Sequence, residues 1–142
     1  MKVKDLMTPK VIDIDREESV AVAARSLTRY NVGVLPVRDA GGALCGVVTD
    51  RDIVTRCLAA GRAPENTKVS EIMTAQVHSV QPNMDASVAA HMMGRQQIRR
   101  LPVVENGKLC GMLSLGDLAN HGETNYDAAD AFGEITSGIS SR

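Results

Sequence analysis

Tryptophan is absent from the 142-residue sequence, and its aromatic residues are one phenylalanine and two tyrosines. With hydrophobic residues at 44% of the chain, a core without large rings has to be assembled from Val, Ile, Leu, Met and Ala. Such a core packs closely around small side chains. An excess of either charge is missing too. Sixteen Lys and Arg stand against 17 Asp and Glu, for a net charge of −1 and a pI near 6.3. The basic excess that holds a protein to nucleic acid or anionic lipid is therefore lacking, so any anion site must be local. No run approaches the ~18 apolar residues of a membrane span, and no apolar stretch follows Met1–Asp5. The expectation is a soluble, cytoplasmic protein with neither DNA nor membrane as partner.

Metal and redox signatures are equally scarce. Cysteines stand at 45, 57 and 110, an odd number without C-x-x-C spacing, which argues against a disulfide framework and a zinc knuckle. They are expected to serve as small apolar residues. His78, His91 and His121 show no i, i+4 pairing with one another, so no metal is assigned. The chain has no phosphate loop of the G-x-x-x-x-G-K-[ST] type, no G-x-G-x-x-G fingerprint, no G-x-S-x-G elbow and no H-E-x-x-H pair.

What the sequence does contain is itself, twice. At an offset of about 66 residues, Val3-Lys-Asp-Leu-Met-Thr-Pro9 returns as Val69-Ser-Glu-Ile-Met-Thr-Ala75, and Leu35-Pro-Val37 returns as Leu101-Pro-Val103. One residue is lost in a turn, after which Leu44-Cys-Gly46 returns as Leu109-Cys-Gly111 and Asp52 as Asp117. The two halves are versions of one structural unit.

Periodicity orders the elements of each unit. Val20, Ala23, Ala24 and Leu27, and likewise Ala86, Ala89, Ala90 and Met93, sit at i, i+3, i+4 and i+7, which predicts one helix per unit, started by Ser19 or Asp85. A short strand precedes each, Val11–Ile14 and Val77–Val80. Two apolar runs follow, Val34–Arg38 and Leu44–Thr49, separated by the hairpin turn Asp39-Ala-Gly-Gly42; Glu105-Asn-Gly107 takes that place in the second unit. A second helix runs from Thr49 to about Ala60, with its counterpart from Ser114 to Asn120. The order is strand, helix, strand, strand, helix. Gly61–Lys68, with Pro64, reads as a linker. Beyond Gly122 the repeat stops, but Tyr126, Ala129, Phe132 and Ile135 keep helical spacing and predict a terminal helix laid on the module, with Ser137–Arg142 frayed. The boundaries are 1–62, 63–121 and 122–142.

The Met-Thr-Pro start, the Leu-Pro-Val strand, and above all Gly46-Val-Val-Thr49-Asp-Arg-Asp52 with Gly111-Met-Leu-Ser114-Leu-Gly-Asp117 resemble the cystathionine-β-synthase (CBS) domain. The resemblance covers about Val3 to Asn120 as a tandem pair, a Bateman module. It implies an α/β (α+β) fold of two β-α-β-β-α units related by a pseudo-twofold, plus the short C-terminal helix, in a stand-alone homodimeric protein. It further implies that AMP, ADP, ATP or S-adenosylmethionine is bound in clefts between the paired units, with no cofactor, and that an unidentified partner protein is regulated.

Candidate site residues follow from these motifs. Thr49 and Ser114 open a helix with Asp52 and Asp117 in its first turn, so hydroxyl and carboxylate face one end. A carboxylate there can accept hydrogen bonds from both ribose hydroxyls. The same pattern is also a capping box, which satisfies orphan backbone N–H groups without any ligand, and the two roles can coexist. For phosphate, Arg99 and Arg100 precede the second Leu-Pro-Val strand, where an arginine fork can pair with phosphate oxygens; Arg51 is a weaker candidate. Gly33 and Val34 take the matching positions of the first unit, so the two sites are expected to be unequal. By the resemblance, adenine is held near Ile12 and Val34 in one unit and His78 in the other. The rival classes are an enzyme, for which the repeated scaffold leaves no insertion to carry catalytic groups, and a ligand-independent dimerisation adaptor.

Overall fold

The computed structural model describes residues 1–140. Its elements are α1 (Val3–Leu6), β1 (Ile14–Asp15), α2 (Val20–Tyr30), β2 (Val34–Arg38), β3 (Leu44–Thr49) and α3 (Asp50–Asp52), which continues as a π-helical segment over Ile53–Leu58. A 3-10 turn at Pro64–Asn66 leads to α4 (Val69–Ile72), α5 (Ala86–Gln96), β4 (Arg100–Glu105), β5 (Lys108–Ser114), α6 (Leu115–Ala119) and α7 (Asn125–Ser140). The repeat boundaries divide the chain by sequence likeness, whereas packing divides it by contact. One compact unit comprises Ile12–Val77 with Gly107–Leu109, and the other comprises Met1–Val11, His78–Asn106 and the chain from Cys110.

The first of these units is built on the sheet β1-β2-β3, with β1 parallel and β3 antiparallel to β2. The expected first strand lies slightly later than its apolar residues suggest. Ile14 pairs with Val37 and Asp15 with Arg38, because the Arg38 guanidinium is held by Asp13 and Asp15 at 3.1 and 3.3 Å. Helix α2 is capped as expected by the Ser19 hydroxyl, which accepts from Val22 N–H. Its stripe Val20, Ala23 and Leu27 is buried with Leu35, Val37, Val48, Ile53 and Cys57. In the π-helical segment Ile53 and Cys57 face this core while Val54 and Leu58 are exposed. The linker is more ordered than its composition suggests: Thr67 is buried, and its carbonyl accepts the Val20 N–H at 2.8 Å.

The second unit pairs β4 with β5. The strand expected at Val77–Val80 is a single bridge, Val80 to Val103, since His78 and Ser79 are exposed and only Val80 is buried. The turn Asn106-Gly107 has φ of 54° and 79°, the doubly left-handed geometry of a tight hairpin. Helix α5, capped by Asp85, buries Ala86, Ala89, Ala90 and Met93 with Leu101, Val103, Leu113 and Leu118.

Helix α7 corrects one expectation. Of the expected stripe it buries only Ile135, together with Ala128 and Ala131, and leaves Tyr126 and Phe132 83% and 49% exposed. The reason is Gly94 on α5: a methyl there would stand 3.1 Å from the Ala131 Cα, so the helices meet too closely for a ring between them. α7 continues through Ser140, past the point where the sequence suggests fraying; Ser141 and Arg142 lie outside the described residues.

Each unit also has a one-turn helix that no apolar stripe announces, followed by a Met-Thr segment that bridges a strand. Thr74 and Val47 exchange backbone hydrogen bonds of 2.9 and 2.8 Å, as do Thr8 and Met112 at 2.8 and 3.0 Å. Both crossings lie against glycine. A Cβ on Gly46 would come within 2.8 Å of the Thr74 carbonyl and of Met73 Sδ, and one on Gly111 within 2.6 Å of Met7 Sδ. The cysteines alongside are half-buried, Cys45 and Cys110 directing their Sγ to the Val37 and Val103 carbonyls, and desolvation raises both thiols above their ordinary range. Gly46→Ala should lower the unfolding free energy by ~1–3 kcal/mol, whereas Gly33→Ala, with nothing near its Cβ, should change it by less than about 0.5 kcal/mol. Urea denaturation of the two variants compares them; equal losses would remove the crossing as a constraint.

Candidate functional site

The site begins at the strand-to-helix junctions. In the first repeat the Thr49 hydroxyl accepts the Asp52 N–H at 3.0 Å and Asp52 Oδ2 accepts the Thr49 N–H at 3.1 Å. In the second repeat the Ser114 hydroxyl accepts the Asp117 N–H at 3.0 Å and Asp117 Oδ2 accepts the Ser114 N–H at 2.8 Å. Both motifs are complete capping boxes. Capping consumes one oxygen of each carboxylate and leaves the other to its surroundings.

Those surroundings differ. Asp52 is 7% exposed, and the Thr74 hydroxyl donates to its carboxylate at 3.3–3.4 Å. Arg56 Nε lies 3.8 Å from Oδ1, its guanidinium also donating to the carbonyls of Ile72 and Met73. The fold itself thus occupies Asp52. Asp117 is half-buried, and among the described residues its Oδ1 accepts no hydrogen bond. Of the remaining first-repeat candidates, Val34 stands opposite Thr49 in the β2–β3 register, while Ile12 and Arg51 are exposed.

The arginines belong beside Ser114. The Arg99 carbonyl accepts the Leu115 N–H at 2.8 Å, as the Gly33 carbonyl accepts that of Asp50 at 3.3 Å, so the repeat alignment of Arg99 with Gly33 holds in three dimensions. Arg99 and Arg100 are exposed, and neither enters an ion pair among the described residues. They line, with Ser114 and Gly116, a cavity of about 580 Å³, within the range of small-molecule sites. Its opposite wall is α7, through Asn125, Ala128, Ala129 and Phe132. The Arg99 guanidinium lies 5.8 Å from the centre of the Phe132 ring. Sequence reasoning missed α7 as a wall; the signal was a lone phenylalanine at a position its helix does not bury. His78 is not in this cavity. It lines another, of about 620 Å³, with Ser87, His91, Arg95 and Asp127.

The CBS domain model matches residues 3–59 and 69–123, and the chain belongs to the CBS-domain family as a tandem pair. It is 40% identical over 134 residues to the CBS domain-containing protein YhcV of Bacillus subtilis, covering 94% of each chain. The crystal structure of Hypoxic Response Protein I with two coordinated zinc ions matches 85% of this chain and 98% of its own, at 30% identity and a TM-score of 0.79. That of a hexameric CBS-CP12 protein from bloom-forming cyanobacteria matches 84% and 67%, at 28% identity and a TM-score of 0.69. CBS-pair proteins are generally regulatory and non-catalytic. Among the described residues no cluster of three or more His, Cys, Asp or Glu is placed to hold a metal, and no helix is long and apolar enough to cross a membrane.

The two carboxylates should separate in stability measurements. Asp117→Ala removes a cap and should cost about 1 kcal/mol. Asp52→Ala also strips the Thr74 hydroxyl of its acceptor and should cost about 2–3 kcal/mol. Denaturant titration checks this, and equal costs would contradict the unequal engagement.

Proposed function

We propose that this chain is a non-catalytic regulatory module that senses adenine nucleotides or adenosyl ligands, and that the second repeat carries the stronger site. The observation behind this reading is the placement of Arg99, Arg100 and Ser114 on one cavity, with the Asp117 carboxylate half free in the same motif. Ser114 and Asp117 take the ribose hydroxyls, and the arginine pair takes the phosphate. The guanidinium forks need no proton change to do so and supply local positive charge that the chain as a whole lacks. In the first repeat, Thr49, Asp52, Ile12 and Val34 form the weaker counterpart. It has Gly33 and Val34 in place of the two arginines, and Asp52 already has internal donors. Ligand occupancy is read by a partner protein.

Isothermal titration with AMP, ATP and adenosine tests the assignment. Arg100→Ala should weaken AMP and ATP by ~1.5–3 kcal/mol and leave adenosine nearly unchanged, whereas Asp117→Ala should weaken all three by a similar amount. Wild-type affinity for the phosphorylated ligands should fall as salt rises. No binding of any of the three would leave a ligand-independent adaptor as the better description.

The working form is a homodimer. Val54, Leu58 and Val88 are half-exposed apolar residues on helices, and burying such surface against a second copy is favourable in so small a chain. Light scattering at micromolar concentration should give twice 15.2 kDa; a monomer mass with and without nucleotide would refute the dimer.

A further inference from the structure

Helix α7 lies outside both segments matched by the CBS model, which end at residue 123, and yet it forms one side of the cavity that holds the arginines. Its contribution there is specific. Phe132 is the only phenylalanine of the chain, is 49% exposed, and faces the Arg99 guanidinium at 5.8 Å from its ring centre. The close α5–α7 approach at Gly94 is made by Ala131 and Glu134, not by this ring. An arginine stacked on an aromatic face keeps all its N–H donors in the guanidinium plane, free at the edge to meet an oxyanion. An unstacked arginine at the surface first has to give up its rotamer freedom.

We infer that Phe132 is a positioning residue for the phosphate-binding Arg99, so that α7 sets how strongly the second repeat distinguishes a phosphorylated ligand from its nucleoside. This rests on the proposed nucleotide site and adds a residue and an element to it that the repeat does not supply. Coupling of this kind is reciprocal: if the seated helix favours phosphate, bound phosphate favours the seated helix. The first repeat has Gly33 at the position of Arg99, so no guanidinium stands at that place for a ring to hold.

The test compares AMP with adenosine by titration calorimetry on the full chain, in wild type, Phe132→Leu and Phe132→Tyr, with a melting curve for each. Phe132→Leu should lose roughly two- to five-fold in AMP affinity, the size of one exposed cation–π contact, with adenosine affinity unchanged. Phe132→Tyr, which keeps the ring, should retain the wild-type ratio. In wild type, AMP should slow amide hydrogen exchange along α7 more than adenosine does, and Phe132→Leu should erase that difference. Wild type that does not prefer AMP to adenosine overturns the nucleotide reading and this inference with it. A preference that survives in Phe132→Leu, or AMP and adenosine affinities that fall together, overturns the inference alone. So does an equal effect of both ligands on α7 exchange.

Discussion

A backbone segment can lie flat against β3 or β5 only where the strand presents no side chain, and Gly46 and Gly111 are those places. The Thr74 and Thr8 carbonyls come so close to the positions of their absent Cβ atoms that any other residue would push the segment away. Once seated, each segment exchanges two backbone hydrogen bonds with the residue after the glycine. This fixes the one-turn helix before it and, in the compact unit that holds Asp52, delivers the Thr74 hydroxyl to that carboxylate. The paired recurrence of Met-Thr and Leu-Cys-Gly in the sequence is therefore one constraint written twice, since neither half of the crossing works without the other.

From this common scaffold the repeats part chemically. A carboxylate that caps a helix has one oxygen committed, and its value to a ligand depends on what the other oxygen meets. In the first repeat it meets Thr74 and Arg56; in the second, Asp117 meets no such donor among the described residues, while Arg99 and Arg100, without an ion pair among those residues, stand in the same unit. The proposed site of the second repeat thus keeps an uncommitted carboxylate oxygen, whereas a ligand at Asp52 would have to displace bonds already made. Divergence at few positions makes the two motifs chemically unequal without any change of fold.

Much of this was legible in the sequence, for reasons that also explain the rest. Helices α2 and α5 declare themselves because a stripe of eleven residues with a Ser or Asp cap has few other uses. β2 and β3 declare themselves because an apolar run on each side of Asp39-Ala-Gly-Gly42 closes naturally into a hairpin. α1 and α4 are four residues long, too short for any period to show, and depend on tertiary contacts. The Val77–Val80 strand failed because only one of its residues is buried, and a bridge needs no more. The ribose motif was legible as a capping box, which it is; the inequality of its two carboxylates was not, because Thr74 reaches Asp52 across 22 residues of sequence.

Helix α7 shows where apolarity misleads. Tyr126, Ala129, Phe132 and Ile135 recur every third residue, a spacing that drifts half a turn around the helix from first to last, though area alone would favour burying both rings. Close approach decides instead. At Gly94 the Ala131 backbone and the Glu134 carboxyl group close on α5, and α7 buries Ala128, Ala131 and Ile135 while its rings turn outward. For Phe132 outward means toward Arg99. A packing restriction between two helices thus determines which aromatic residue meets which cation, and a tail with no place in the repeat becomes part of the wall of the cavity lined by Arg99 and Arg100.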